Sequence, residues 1–436
     1  MQKYVFNIAP YIAPILLALT MLGKIQAIMI LGIILAMICF IQRKEAGIIF
    51  ALILSAVLGE TFRGFNIGIP GSIISLLIAF FLLYKDLYII KKKPSTIIYT
   101  GAIVLIVIFS LLYGGMSSEG CKKFTALLIT ITTSMLAFYP IAMFKNINLS
   151  KIAIIYLLSG IFFIAFAFDF YGYTRTLNLF DFESFRASMV DNGELGLPYI
   201  VYHTPGMFGC YSIAFYLSDK KKLTGINDFL ILATALWLIL VSGARQAMIC
   251  YFIIIAAWIM IKNDKLQIRN ICLTIVLCIA GYIFLSSLEV ESIQKVFDTT
   301  NTAEERLNRG YDFTFKTIRE NFVMGVGFGN FHDPMTNQRY AHNIILEILS
   351  EQGCLGLILM LIILLIFFVR NKFSLFKRTI SNHYAFIIFI PYFIKSMVSD
   401  DFSQNIILFI IIFTLFNKIT HKKINRNEQY TTYSNS

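Results

Sequence analysis

Charge is scarce in this chain. Only 14% of its 436 residues are Asp, Glu, Lys or Arg, against 58% hydrophobic, and the mean hydropathy is +0.74. Soluble domains are about a quarter charged and about half apolar, so a water-soluble globular domain is excluded. Cysteine pairs in Cys-x-x-Cys spacing are absent too. The seven cysteines (Cys39, Cys121, Cys210, Cys250, Cys272, Cys278 and Cys354) lie mostly inside apolar runs, which argues against a zinc site or a disulfide framework and makes them expected core residues. No apolar run alternates with polar residues, as barrel strands would. There is no Gly-x-Ser-x-Gly elbow, no P-loop and no zinc-ligand spacing. No internal repeat of fixed period occurs, and the one low-complexity tract is the polar tail Asn425 to Ser436. A cleavable signal is not expected: a single Lys3 precedes the first apolar stretch, Tyr4 to Leu22, and no small-residue cleavage site stands out after it.

What is present is length in apolar runs. Ile97 to Leu112, Ile152 to Phe168 and Leu355 to Val369 are each near the length that crosses a ~30 Å hydrocarbon core at ~1.5 Å per residue. The fold class is therefore an all-α polytopic membrane protein. The formal charge of +12 does not suggest nucleic acid, because the basic residues sit at the ends of apolar runs rather than on one face. Lys91 to Lys93, Lys220 to Lys222, Lys262 with Lys265, Arg370 to Arg378, and Lys422, Lys423 and Arg426 fall where the positive-inside rule wants the cytoplasm.

Threading the chain so that all these groups are inside gives about fourteen spans with both termini cytoplasmic, leaving Lys122 and Lys123 as an exception outside. The expected organisation is N-terminal spans over 1–170, a first long outer loop over 171–197 and spans over 198–287. A large helical outer loop over 288–341, C-terminal spans over 342–420 and a cytoplasmic tail over 421–436 follow. The large loop carries pattern. Thr302 to Glu305 reads as a capping box. From there Leu307, Tyr311, Phe315, Ile318 and Phe322 recur at helical spacing, an apolar stripe expected to lie against the membrane-embedded body. Arg306, Arg309, Phe313 and Lys316 fall on another face, which could hold cations toward a cleft or simply be solvated.

Four constellations could carry chemistry. Ser242-Gly243-Ala244-Arg245-Gln246 joins two spans at the outer boundary, where a half-buried arginine needs an anionic partner; a snorkelling arginine at a helix end accounts for the same residue. Arg309 lies in the large loop, where Glu305 one turn earlier could pair with it. Gly325, Gly327 and Gly329 follow, with no strand before them, so a tight backbone turn approaching the membrane surface or a ligand is expected rather than a dinucleotide site. Ala341-His342-Asn343 opens a long helix; the histidine could work as general base or acid near neutral pH, or serve as a cap or packing residue. Arg186 adds another outer cation, judged alone a solvated one. The acidic residues of the outer loops show no spacing that singles out a carboxylate pair.

Ser-Gly-Ala-Arg245, then Arg309 and Gly-Val-Gly-Phe-Gly in a long outer loop, then Ala-His342-Asn343 with Glu351-Gln352-Gly353-Cys354-Leu355-Gly356, resemble in order and spacing the O-antigen ligase and polymerase superfamily. The likeness covers Arg186 to about Val369. It implies a metal-independent and cofactor-free glycosyltransferase of the bacterial inner membrane with its active site facing the periplasm. The donor implied is an undecaprenyl-diphosphate-linked glycan, and the acceptor another glycan. Membrane lipid and a chain-length regulator protein are further partners it implies. Arg245, Arg309 and His342 are the catalytic residues it implies, with Arg186 and Arg306 joining Arg245 and Arg309 on the diphosphate. The family more often has a small residue where Gln246 stands.

The span count and the long first loop favour a polymerase over a ligase to the lipid A core. A lipid-linked oligosaccharide flippase is the rival from another class, but transporters usually show matching halves and short loops, which this chain lacks.

Overall fold

The computed structural model describes residues 41–64, 71–86, 94–144, 146–170, 203–219, 223, 225–262, 311–334, 339–371, 380–398 and 401–416. Every regular element among them is helical. In chain order they are α1 (Arg43–Ile49), a π-helical turn (Phe50–Leu54), α2 (Ser55–Gly64), α3 (Gly71–Leu83), α4 (Pro94–Tyr113), α5 (Ser118–Met143) and α6 (Leu149–Phe170). There follow α7 (His203–Asp219), α8 (Ile226–Ser242), α9 (Arg245–Lys262), α10 (Asp312–Glu320), α11 (Ile344–Arg370), α12 (Ile380–Val398) and α13 (Phe402–Leu415).

Among the described residues, three helices are long and apolar enough to cross a membrane: Ser95–Tyr113, Ser118–Met143 and Ile344–Arg370. Shorter apolar helices, such as Gly71–Leu83, Ile226–Ser242 and Phe402–Leu415, accompany them. The outer surface of α3, α4 and α11 is apolar, with Leu77, Phe81, Leu105, Phe109, Leu361 and Leu365 exposed. A surface of this kind is unfavourable in water and natural in lipid. The expected first, second and eleventh spans lie outside the described residues.

Helix α7 is the centre of the packing. Each residue from Pro205 to Leu217 is buried, and α7 lies against α6, α8, α9 and α12. Small residues permit this. A Cβ on Gly209 would come within 2.8 Å of the Ala235 carbonyl oxygen on α8, so the two backbones approach as glycine-rich membrane helices do. Around α7, Tyr156, Phe208, Tyr211, Phe215 and Tyr392 form an aromatic cluster, with Tyr211 and Tyr392 stacked at 4.6 Å. Helix α5 packs on α13, and α4 on α11.

Buried polar groups brace both ends of the bundle. Glu45 on α1 accepts from the Asn148 amide at 2.6 Å and pairs with Lys151 Nζ at 3.4 Å. That contact is at the end of α5 remote from Lys123.

Two expectations about helices need correction. The run 343–369, read as one helix, is two: Gly353 has φ 69° and ψ −176° inside α11. The kink exists because another backbone passes there, and a Cβ at 353 would stand 2.2 Å from the Val323 carbonyl oxygen. Second, the stripe through Tyr311, Phe315, Ile318 and Phe322 does not face the body as a unit. Thr314, Thr317 and Ile318 are buried, whereas Phe315 is 45% and Phe322 56% exposed. Thr317 can be buried because its hydroxyl donates to the Phe313 carbonyl at 2.9 Å. Leu307 and the capping box lie outside the described residues.

The cysteines divide as well. Cys210 and Cys250 are buried, but Cys121 and Cys354 are partly exposed, while Cys39, Cys272 and Cys278 lie outside the described residues.

Candidate active site

The expected site residues stand as follows. Arg186, Arg306 and Arg309 lie outside the described residues. Arg245 is the first residue of α9. The turn before it is tightly built: Gly243 takes a left-handed φ of 59°, and the Ser242 hydroxyl donates to the Ile239 carbonyl at 2.8 Å while accepting from the Ala244 amide at 3.3 Å. Ser242, Ala244 and Gln246 are buried. The turn presses on α7, where a Cβ at Gly206 would meet Ser242 Oγ at 2.3 Å.

His342 is half-buried and has φ 52°. A left-handed backbone is uncommon for residues other than glycine, histidine being among the less disfavoured, and such positions cluster at functional sites. Its ring stands edge-on to Tyr340 at 4.4 Å. Asn343 explains why the helix begins here. Its Oδ1 accepts from the amides of Ile345 at 3.0 Å and Leu346 at 3.2 Å, as an N-cap should. Its Nδ2 donates to the Met397 carbonyl at 3.1 Å. The start of α11 is thereby tied to the end of α12, and α12 also packs on α9, which carries Arg245.

Beneath the helix start lies a group of charges not foreseen from the sequence. Lys123 Nζ on α5 donates to Glu347 Oε1 and, at 2.8 Å, to Glu351 Oε1. The Lys123 side chain is 9% exposed and both glutamates are 0% exposed. The two glutamates are one turn apart and so share a face of α11. The other oxygen of each, Oε2, has no hydrogen-bond partner. Lys123, read as an exception to the positive-inside pattern, is thus a buried ion-pair partner. A signal was available, since ionisable residues inside membrane helices default to a functional or paired role.

The glycine turn completes this assembly. Gly325, Gly327 and Gly329 have positive φ (70°, 93° and 78°), the tight turn expected. They approach the protein's own helices closely: a Cβ at 327 would stand 2.3 Å from Gly114 Cα, at the end of α4. The Val326 and Gly327 amides donate to the carbonyls of Ser350 and Glu351, each at 2.9 Å, and the Cys354 amide to Phe322 at 2.8 Å. These bonds satisfy backbone groups that the Gly353 kink releases. Asn330 donates to the Gly114 carbonyl at 2.7 Å. Phe328, fully buried, sets its ring 5.1 Å from Lys123 Nζ, a cation–π contact made in a desolvated setting. Arg339 pairs with Glu119 at the start of α5, which draws the strand of chain leading to His342 onto the same helix.

Chemically, this arrangement presents a half-buried imidazole at a helix start on a scaffold braced by buried ion pairs, with an arginine at the start of a neighbouring helix in the same bundle. Residues 230–361 match the family model described as O-Antigen ligase. The matched stretch runs from α8 through the Ser242–Arg245 turn, the glycine turn and His342 into α11, and it is the superfamily whose motif order the sequence resembles. No curated protein matches the chain.

Proposed function

We propose that this chain is an O-antigen or related surface-polysaccharide polymerase. In this reading it joins undecaprenyl-diphosphate-linked repeat units at the periplasmic face of the bacterial inner membrane. The observation that carries the reading is that one segment matching the O-antigen ligase family holds both the turn that leads into Arg245 and His342 with its left-handed backbone. Transfer breaks a bond between the anomeric carbon and the diphosphate, and negative charge develops on the leaving group. Arg245, Arg309, Arg186 and Arg306 would offset that charge as fixed donors, losing any one of which costs about 3 kcal/mol of transition-state stabilisation. His342 would take the proton of the acceptor hydroxyl as it attacks the anomeric carbon. No metal is assigned a role.

A ligase passing finished glycan to the lipid A core is the second reading, favoured by the description of the matched family. A flippase is the reading from another class. Glycan profiles from a strain lacking the protein separate the three. A lipid A core bearing a single repeat unit, with the ladder restored by wild type but not by Arg245→Ala, Arg309→Ala or His342→Ala at matched membrane levels, supports the polymerase. Full-length polymer held on its lipid carrier makes it the ligase. Repeat units trapped on the cytoplasmic side overturn the enzymatic reading.

A further inference from the structure

A second feature lies among the helices and involves neither His342 nor Arg245. A half-open cavity of about 520 Å³ is lined by the π-helical turn and α2, with α3, α5, α6, α7, α12 and α13, a volume in the range of small-molecule sites. It occurs at the end of the bundle that carries His342. Ala126, on its wall, is one turn beyond Lys123 on α5. Lys395 is two residues from Met397, whose carbonyl Asn343 holds, and Gln404 is in the first turn of α13.

The lining is mixed in a specific way. Hydroxyls come from Ser55, Ser72, Thr130, Thr133 and Thr204, a cation from Lys395, and aromatic rings from Tyr211 and Tyr392. Ser55, Thr130 and Thr133 each donate their proton to the carbonyl four residues earlier, at 2.8 to 3.0 Å. Each hydroxyl of these lining residues keeps lone pairs with which to accept a further bond. The stacked tyrosines offer apolar ring surface nearby. The π-helical turn supplies Ala51 and Leu52 to the wall; such turns are rare and recur at functional sites. Ser75 donates its hydroxyl to the Phe50 carbonyl in that turn, so the irregularity is supported from the neighbouring helix.

We infer that this cavity binds one sugar unit of the glycan acceptor, whose hydroxyls meet the Ser and Thr oxygens and whose C–H face meets the tyrosine rings. The assignment deepens the function proposed above and rests on it for the word acceptor. Sugar binding itself does not require the transfer reaction. A polyol with one apolar face is the ligand chemistry that fits hydroxyl acceptors and a lysine beside aromatic carbon.

The test uses the purified full chain in lipid nanodiscs, free of glycosidic detergent, and saturation-transfer NMR. The probes are glucose, galactose, rhamnose, N-acetylglucosamine and glucuronic acid. At least one should receive saturation from the protein. Thr130→Val with Thr133→Val, which preserves shape, should weaken that sugar about tenfold by leaving its hydroxyls unpaired, and Thr133→Trp, which fills the space, should abolish the signal. Gly101→Ala, with open space around the added carbon, should bind as wild type does. Absence of signal from all five sugars, or signal that persists unchanged in both cavity variants, overturns the inference. Sugar binding that depends on Thr130 and Thr133 in a protein whose His342→Ala form still builds polymer in cells would uphold the cavity and overturn the catalytic reading instead.

Discussion

Lys123 and Glu347, 224 positions apart in the chain, form a buried ion pair, and Glu351 closes it on the same lysine at 2.8 Å. Two carboxylates thus face one ammonium where water does not reach. The imbalance sets the sign of the substitutions. Lys123→Met leaves both carboxylates without their cation and is expected to cost about 3–5 kcal/mol. Glu351→Gln removes the excess carboxylate and leaves one matched pair, so it should be near neutral. Thermal unfolding of the purified protein in nanodiscs compares the two, and equal loss in both would show that the cluster is not organised by charge.

The glycine turn should tolerate side chains only where space exists. Gly327→Ala combines a φ of 93° with a Cβ position 2.3 Å from Gly114 Cα, and should separate the loop from α4. Gly101→Ala, also a small change but in mid-α4 with nothing within 4 Å of the added carbon, should be neutral or stabilising by up to about 1 kcal/mol. Limited proteolysis of the segment around 321–330 reads the difference: faster cleavage is expected in Gly327→Ala and not in Gly101→Ala.

Most helix ends were legible in the sequence, because composition changes sharply where chain meets water. The start of α4 lies three residues before the apolar run that opens at Ile97 for this reason, and α11 begins directly after Ala341-His342-Asn343, as expected. The Gly353 kink was not legible. It exists because a loop thirty positions earlier crosses α11, and no local pattern records that crossing. The pairing of Lys123 was not legible on similar grounds: its two glutamate partners stand on a helix more than two hundred positions away. The orientation of α10 was missed because Thr314 and Thr317, polar by composition, can be buried once their hydroxyl protons are used.

Asn343 makes two separable contributions. Asn343→Asp retains the Oδ acceptor for the Ile345 and Leu346 amides but loses the donation to Met397; Asn343→Ala loses both. The cap itself is worth about 1 kcal/mol. Asn343→Asp should therefore unfold at a higher temperature than Asn343→Ala. If the tie to α12 positions His342, both variants should lower the rate of polymer formation. Full activity in Asn343→Asp would confine Asn343 to capping.

His342 combines strain with a proposed role, and glycine separates them. His342→Gly relieves a left-handed φ of 52°, which costs a non-glycine residue about 1 kcal/mol or more. The variant should be at least as stable as His342→Ala and equally inactive. Retained activity in His342→Gly would place the residue among structural ones.

The central claim, glycosyl transfer from a polyprenyl diphosphate by this chain itself, is tested most directly with purified components. Wild-type protein in nanodiscs is incubated with undecaprenyl-diphosphate-linked repeat units and a metal chelator, and the products are read by mass spectrometry. Lipid-linked dimers and longer oligomers are expected together with free undecaprenyl diphosphate, both lost in Arg245→Ala and His342→Ala. Folded wild-type protein that forms no longer glycan, or that forms it equally well in the two variants, would contradict the claim.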